Sequence, residues 1–190
     1  MGSEMCIRDR SREQAEEFHA ENVTEADTPK QEQIPPKNFV ITDDALGVGG
    51  VKEKFRRNIE AIKTLELIES EKRNATPEEQ EILSKYVGWG GLSDAFDDSK
   101  ANWASEYQEL KGLLSDAEYA QARESTLNAH YTSSVIIRSI YEALDKMGFE
   151  KGNVLEPAMG IGNFFGMLPE KMAESRLYGV ELDGITGRIA

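Results

Sequence analysis

The sequence predicts an α/β protein in which a helical amino-terminal region precedes the first βαβ unit of a doubly wound parallel sheet. Apolar residues recur at a spacing of three and four in several segments before residue 150, which is typical of amphipathic helices. Beyond residue 150 the pattern changes to two short β-prone runs that enclose a glycine-rich loop. A strand, a glycine loop, a helix and a second strand within about 30 residues are typical of the start of such a sheet. Two strands do not complete it, so we expect the domain to be unfinished.

The composition and charge exclude several classes of protein. The chain has 190 residues with 35 acidic and 22 basic side chains, and its net charge is −13. This acidity argues against a stand-alone nucleic-acid-binding domain, because neutralising phosphates requires a basic face. No apolar run approaches the roughly 18 residues needed to cross a bilayer, so we expect no membrane span. The single cysteine, Cys6, allows no intramolecular disulfide, and a cytoplasmic location fits best.

We expect three regions along the chain. Residues 1–38 hold few large apolar side chains and are interpreted as a disordered tail, and the first ten of them resemble translated sequencing adapter. Residues 39–128 are predicted to form the helical amino-terminal region. Residues 129–190 are predicted to begin the domain that contains the sheet.

The amino-terminal region is predicted to open with a short β-prone run at residues 38–42 and a long helix. One face of this helix carries a buried stripe made of Phe55, Ile59, Ile62 and Leu65. Thr76 and Glu79 form the capping pattern that starts a second helix. Ser115 and Glu118 repeat this pattern for a third helix, which we expect to run to about Leu127.

The elements expected after residue 133 are, in chain order, a helix at 134–147, a buried strand at 153–156, a tight loop at 157–162, a helix at 163–173 interrupted near Pro169, a strand at 176–181 and the start of a helix at 184–190. The apolar face of the first of these helices includes Val135, Ile137, Ile140, Tyr141 and Leu144. The residues at the strand and helix ends around the loop are the candidate ligand-binding residues.

A glycine loop between a strand and a helix presents backbone N–H groups where a nucleoside ligand can approach without a Cβ in the way. Gly160 and Gly162 have the spacing of the dinucleotide fingerprint, but Phe165 replaces its third glycine, which disfavours a pyrophosphate cofactor. Glu181 follows Gly160 by 21 residues at the end of the second strand, where a carboxylate can accept hydrogen bonds from both hydroxyls of a ribose. Together they predict a nucleoside-bearing cofactor.

A second carboxylate sharpens the choice of cofactor. Glu156, directly before Pro157, brings negative charge close to the ligand, which repels phosphate and suits an ammonium or a sulfonium group. S-adenosyl-L-methionine carries both groups. The alternative is that Glu156 and Glu181 are ordinary surface carboxylates at strand ends.

Three motifs resemble those of a known family. Residues 155–165 read LEPAMGIGNFF and resemble the cofactor motif of class I S-adenosylmethionine-dependent methyltransferases, in the [Asp/Glu]-Pro-x-x-Gly-x-Gly-x-Phe form usual in DNA adenine-N6 enzymes. Residues 178–183 resemble the ribose motif of these enzymes, and residues 129–133 resemble the segment that precedes their cofactor motif. The resemblance implies a Rossmann-like class I methyltransferase sheet, truncated in this chain.

The resemblance also assigns cofactor-binding roles to nine residues. It implies that Gly160 and Gly162 line the methionyl moiety, that Phe164 packs nearby, and that Glu181 holds the ribose. Tyr131 and Thr132 would close over the methionine carboxylate. The full implied set is Tyr131, Thr132, Glu156, Pro157, Ala158, Gly160, Gly162, Phe164 and Glu181.

The region before the glycine loop resembles something narrower. Residues 39–44, 49–58 and 85–92 are similar to the start of very large methylase–helicase polypeptides of conjugative elements, plasmids and phages. This resemblance covers about residues 38–190. It implies DNA as the partner, bound through regions outside this chain, and a carboxyl-terminal helicase domain in the full-length protein.

The substrate loop of the adenine-N6 family is absent from this sequence. In that family an [Asn/Asp/Ser]-Pro-Pro-[Tyr/Phe] loop holds the amine of a flipped-out adenine, whereas Pro35-Pro36 here is flanked by Ile34 and Lys37. We therefore name no catalytic residue and expect the chain alone to be inactive. Two alternatives stay open: a fragment of an RNA or protein methyltransferase, or a non-enzymatic acidic module that binds a basic partner.

Three further features have a functional and a structural interpretation. Trp89 between glycines is either a stacking platform for a base or a core residue, and the core is favoured because tryptophan is usually well buried. The basic residues at positions 52–57 are interpreted as a solvated face rather than a phosphate grip. His130 has only His19 as a companion, so no metal site is predicted.

Overall fold

The computed structural model describes residues 38–43 and 47–190, so the predicted tail lies outside the described residues except for Asn38. The described part is mixed α/β, with seven α-helices and one parallel sheet of two strands, which confirms the predicted class. The helices are α1 Val51–Glu71, α2 Pro77–Ser84, α3 Ala104–Leu113, α4 Asp116–Ser125, α5 Ser134–Lys146, α6 Asn163–Gly166 and α7 Gly184–Ile189. The strands are β1 Asn153–Glu156 and β2 Arg176–Gly179, and short 3₁₀ helices lie at Ser93–Phe96, Ala101–Trp103 and Glu170–Met172. None of the helices in the described ranges is long and apolar enough to span a membrane.

Both predicted capping boxes are present. The Glu79 N–H donates to Thr76 Oγ1 over 3.3 Å, and the Thr76 N–H donates to Glu79 Oε2 over 2.9 Å. Ser115 and Glu118 make the same reciprocal pair at the start of α4. These bonds satisfy N–H groups that the first turn of a helix leaves without a partner. The helix that starts at Ser115 ends at Ser125, two residues before its expected end.

The helix α3 was not expected from the sequence. Its apolar side chains are few, and Leu110 is the one that is fully buried. The apolar stripe of this helix continues past both of its ends. Its members are Trp103, Tyr107, Leu110 and Leu114, which have helical spacing. A weak pattern of this kind is easily read as a loop.

Aromatic side chains fill the core of the amino-terminal region. Trp89 is 1% exposed, and its ring centroid lies 5.4 Å from that of Phe96 and 6.2 Å from that of Phe55. The core interpretation of Trp89 is therefore confirmed, and a stacking platform for a base is excluded by its burial. Lys52 bonds to Glu106 over 2.7 Å and lies over the ring of Trp103, so it is already paired within the fold.

The helix and the second strand of the βαβ unit are shorter than the sequence predicts. The expected helix at 163–173 is interrupted by Pro169 as predicted, but it consists of one turn, α6, and a separate 3₁₀ turn. Gly166 and Pro169 lie close together, and each is a poor residue for a helix interior. The strand β2 ends at Gly179 and not at residue 181, although the Val180 N–H still donates to the Glu156 carbonyl over 3.0 Å.

The expectation that β1 is a buried strand is wrong for the described residues. Leu155 and Tyr178 are partners in the parallel register and therefore lie on one face, where they are 63% and 48% exposed. No described element covers this face. The predicted apolar face of α5 is likewise only partly buried: Ile137 and Tyr141 are in a small core with Met172, while Val135 and Ile140 are exposed.

The ion pair at the start of α2 should make stability depend on pH. Arg73 bonds to both carboxylate oxygens of Glu79 at 2.6 and 2.7 Å, and this pairing lowers the pKa of Glu79 to about 2. Because the carboxyl group titrates higher in the unfolded chain, the contribution of the pair is fully present above about pH 5 and is lost as the pH falls toward about 2. Urea unfolding measured across this range should show Glu79→Gln with a shallower loss of stability than the parent.

Glu78→Gln, an exposed neighbour in the same turn, is the matched control and should follow the parent curve. Equal slopes for Glu79→Gln and the parent protein would contradict the assignment.

Candidate ligand site around the glycine loop

The loop between β1 and α6 needs glycine at two positions. Gly160 has φ +58° and Gly162 has φ +81°, in the left-handed region that other residues rarely adopt. The Gly162 N–H donates to the carbonyl of Met159 over 2.9 Å, which closes the turn directly before α6. The two glycines singled out by the sequence therefore have a conformational reason to be there.

The carboxylate of Glu181 bridges the ends of the two strands. Its Oε2 accepts the N–H of Gly160 over 2.9 Å, and its Oε1 accepts the N–H groups of Leu182 and Asp183, each over 2.8 Å. Glu181 thus lies beside the glycine loop, as the sequence predicted. A carboxylate has about four lone-pair positions, and three are already used by the backbone. A diol that approached this carboxylate would have to share or displace one of those N–H groups.

The ring of Tyr131 covers the glycine loop. A Cβ built on Gly160 would lie 3.2 Å from the Tyr131 ring, and one built on Gly88 would lie 3.4 Å from it. The ring is therefore in contact with two glycines from different parts of the chain. Its hydroxyl lies 3.5 Å from Thr186 Oγ1, and burial raises the pKa of this hydroxyl well above its usual range.

Phe164, another of the predicted site residues, is in contact with α5. Its side chain packs against the small core beneath α5, and its carbonyl accepts the hydroxyl of Tyr141 over 2.6 Å. Burial, with a contribution from the nearby carboxylate of Glu156, raises the pKa of Tyr141 to about 12. Phe164 therefore anchors α6 to α5.

The remaining predicted site residues differ in exposure. Thr132, Pro157 and Ala158 are exposed, and Glu156 is half-buried at the end of β1. The structure thus brings together Tyr131, Gly160 and Glu181 by direct contact. His130 is exposed, and no group of metal-ligating side chains is present among the residues that the structure describes.

A cavity of about 590 Å³ lies next to the glycine loop. Its walls are formed by Ile161, Gly162 and Asn163 on one side and by α1, α2 and the end of α7 on the other sides. Of the nine predicted cofactor-binding residues, all of which are described, Gly162 is the one that lines it. The two arginines at its wall are both paired: Arg73 with Glu71 and Glu79, and Arg188 with Glu69 and Glu118. The cavity therefore offers no uncommitted guanidinium to an anionic ligand, and Tyr131, Gly160 and Glu181 do not line it.

Two residues that support the site were not singled out from the sequence. Gly88 contacts the face of Tyr131, and the buried Thr186 lies at its hydroxyl. The sequence signals only the cap: Asp183 starts α7 by accepting the Thr186 N–H over 2.7 Å, a backbone bond that does not depend on the threonine side chain. The contact with Gly88 depends on tertiary packing and leaves no local signal.

Comparison of the chain with models of protein families, with curated proteins and with solved structures gives no match. The chemistry of the described residues is therefore what bears on function. Its most informative part is a glycine loop in contact with the carboxylate of Glu181 and with the half-buried ring of Tyr131.

Replacing Gly160 by alanine should destabilise the fold, because the new Cβ would combine a strained φ with a 3.2 Å approach to Tyr131. We expect the free energy of unfolding to fall by about 1–3 kcal/mol. Gly184→Ala is the matched control, since its Cβ would meet only an ordinary 3.6 Å contact and its φ is not in the left-handed region. Chemical denaturation measures both. Equal stability of the two variants would show that the Tyr131 ring does not lie against Gly160.

Proposed function

We propose that this chain is the cofactor-binding, amino-terminal part of an S-adenosyl-L-methionine-dependent DNA methyltransferase of the adenine-N6 type, with a Rossmann-like class I fold. The observation that carries the proposal is the hydrogen bond between the Gly160 N–H and Glu181, which places a candidate ribose acceptor beside the glycine loop. The order and spacing of the motifs at residues 129–133, 155–165 and 178–183 add to it. The full-length protein would carry DNA-binding regions and a helicase domain outside this chain.

The residues around the loop fit such a cofactor. Glu181 would be the acceptor for the ribose hydroxyls, and Gly160 and Gly162 leave room for a ligand to approach the backbone closely. Glu156, Glu181 and Asp183 place carboxylates near the ends of the strands, which favours a ligand that carries positive charge over one that carries phosphate. When bound, the cofactor supplies a methyl group on a positively charged sulfur.

Binding of a ribose would have a structural consequence at Glu181. Its carboxylate holds the N–H groups of Gly160, Leu182 and Asp183, so two ribose hydroxyls cannot be added without changing these bonds. The Gly160 N–H is the one that links the two loops. We propose that this bond lengthens or is shared when the cofactor binds, while the two bonds within the loop after β2 keep the carboxylate in place.

The net charge favours a second candidate function. A chain of net charge −13 is suited to contact a basic partner, and as a non-enzymatic acidic module it would need the βαβ unit only as a scaffold. An RNA or protein methyltransferase would share the same cofactor loop and differ only in its substrate-binding part. Affinity for the cofactor distinguishes the two candidates, because a methyltransferase fragment would bind it and the acidic module would not.

Isothermal titration of S-adenosylmethionine and S-adenosylhomocysteine into the full chain tests the proposal, with NAD as the control ligand. We expect both sulfur-containing ligands to bind, NAD to remain inert, and Glu181→Gln to weaken binding by about tenfold or more because a charged acceptor is lost. Glu150→Gln, an exposed carboxylate before β1, is the matched control and should bind like the parent. Circular dichroism confirms that each variant is folded.

Two results would contradict the proposal. Binding of NAD with similar affinity would indicate a different nucleotide site, and absence of binding by the folded chain would favour the acidic module.

The chain alone should transfer no methyl group to DNA, because it contains no residue of the expected substrate loop. Incubation of the purified chain with a tritiated methyl donor and duplex DNA measures this directly. A complete adenine-N6 methyltransferase serves as the positive control. Methylated DNA formed by the purified chain would show that a catalytic residue lies within these 190 residues.

A further inference from the structure

Asn58 is a buried side chain whose amide nitrogen and amide oxygen both bond to one loop. It lies on α1 and is 0% exposed. Its Nδ2 donates to the carbonyl of Gly88 over 2.6 Å, and its Oδ1 accepts the N–H of Val87 over 2.9 Å. A buried amide that replaces two backbone hydrogen bonds fixes the path of the chain it contacts, because breaking either bond leaves a buried group without a partner. Asn58 therefore determines where the loop at residues 87–91 lies.

The opposite side of this loop packs against residues 129–131. A Cβ on Gly90 would lie 2.0 Å from the carbonyl oxygen of Ala129, so the two backbones meet with no room for a side chain. The Gly91 N–H also donates to the carbonyl of Thr126 over 3.1 Å. Because the backbones are in direct contact at Gly90, we expect movement of the loop to displace residues 129–131 as well.

The contacts continue from Tyr131 to the candidate site. Its ring lies against both Gly88 and Gly160, and the Gly160 N–H donates to Glu181. A continuous series of contacts thus runs from Asn58 through Gly88 and Tyr131 to the glycine loop.

We propose that Asn58 is a positioning residue for the cofactor site: by fixing the loop at 87–91 it holds Tyr131 over Gly160 and keeps the glycine loop in its binding conformation. It does not contact the ligand. The effect on cofactor affinity rests on the proposed function, whereas the effect on the order of the glycine loop does not. A purely structural role for Asn58 would stabilise the aromatic core of the amino-terminal region and leave the loop beyond Tyr131 unaffected.

Hydrogen exchange at the amides of Gly160, Leu182 and Asp183 separates these roles, because all three donate to Glu181. Two variants break the series of contacts at different points: Asn58→Leu removes both bonds to the loop, and Gly90→Ala forces the loop away from Ala129. We expect exchange at Gly160 to be at least about tenfold faster in both variants under conditions in which they remain folded. S-adenosylmethionine should also bind more weakly to both.

Two controls match these variants. Leu110→Ala destabilises the same core from α3, and Gly112→Ala makes the same glycine-to-alanine change at a position where a Cβ would meet nothing within 4 Å. Both should leave exchange at Gly160 close to that of the parent protein. If Asn58→Leu does not fold, Asn58→Asp takes its place, since it keeps the acceptor for the Val87 N–H and removes the donor to Gly88.

Parent-like exchange at Gly160 in Gly90→Ala would overturn the proposal, and so would an equal acceleration in Leu110→Ala. A parent protein that binds no S-adenosylmethionine but shows the expected exchange pattern would refute the proposed function and still support the positioning role.

Discussion

The ring of Tyr131 lies between Gly88, from the loop of the helical region, and Gly160, from the loop of the βαβ unit. Both glycines have positive φ, so each loop passes the ring at a point where any other residue would be strained. The hydroxyl end of the ring reaches Thr186 at the start of α7, which adds a third segment to the contact. One aromatic ring, with the two glycines that let it approach, therefore joins the loop of the helical region, the loop of the βαβ unit and the start of α7.

Around this contact the polar groups are arranged to hold loops in place. Asn58 holds the loop before Tyr131 with both ends of its amide, and Glu181 holds the loop after β1 and the loop after β2 with three backbone N–H groups. Arg188 adds a link from α7 to Glu69 of α1 and Glu118 of α4, although such exposed pairs contribute little to stability. The loops that carry the candidate site are thus fixed by side chains on both sides of Tyr131.

Much of the fold could be predicted from local signals, and the failures have physical causes. The capping pairs at Thr76 and Ser115 act within one turn, so the sequence contains all that is needed to place the helices they start. α3 was missed because its stripe needs Trp103 and Leu114, which lie outside the helix itself. The exposure of Leu155 could not be foreseen, because the burial of a strand depends on what covers its face. At the site, the spacing of the glycines and Glu181 singles them out, but the bond from the Gly160 N–H to Glu181 arises only where two loops meet.

We propose that a cofactor binds where Glu181 meets the glycine loop. The most direct measurement is a ¹⁵N–¹H NMR titration of the full chain with S-adenosylmethionine, because the amides of Gly160, Leu182 and Asp183 all donate to the Glu181 carboxylate. We expect these three signals to shift together at saturating ligand, with the largest change at Gly160. Shifts confined to residues that line the 590 Å³ cavity, such as Ala75 and Leu83, or no shifts at all, would show that no cofactor binds at Glu181.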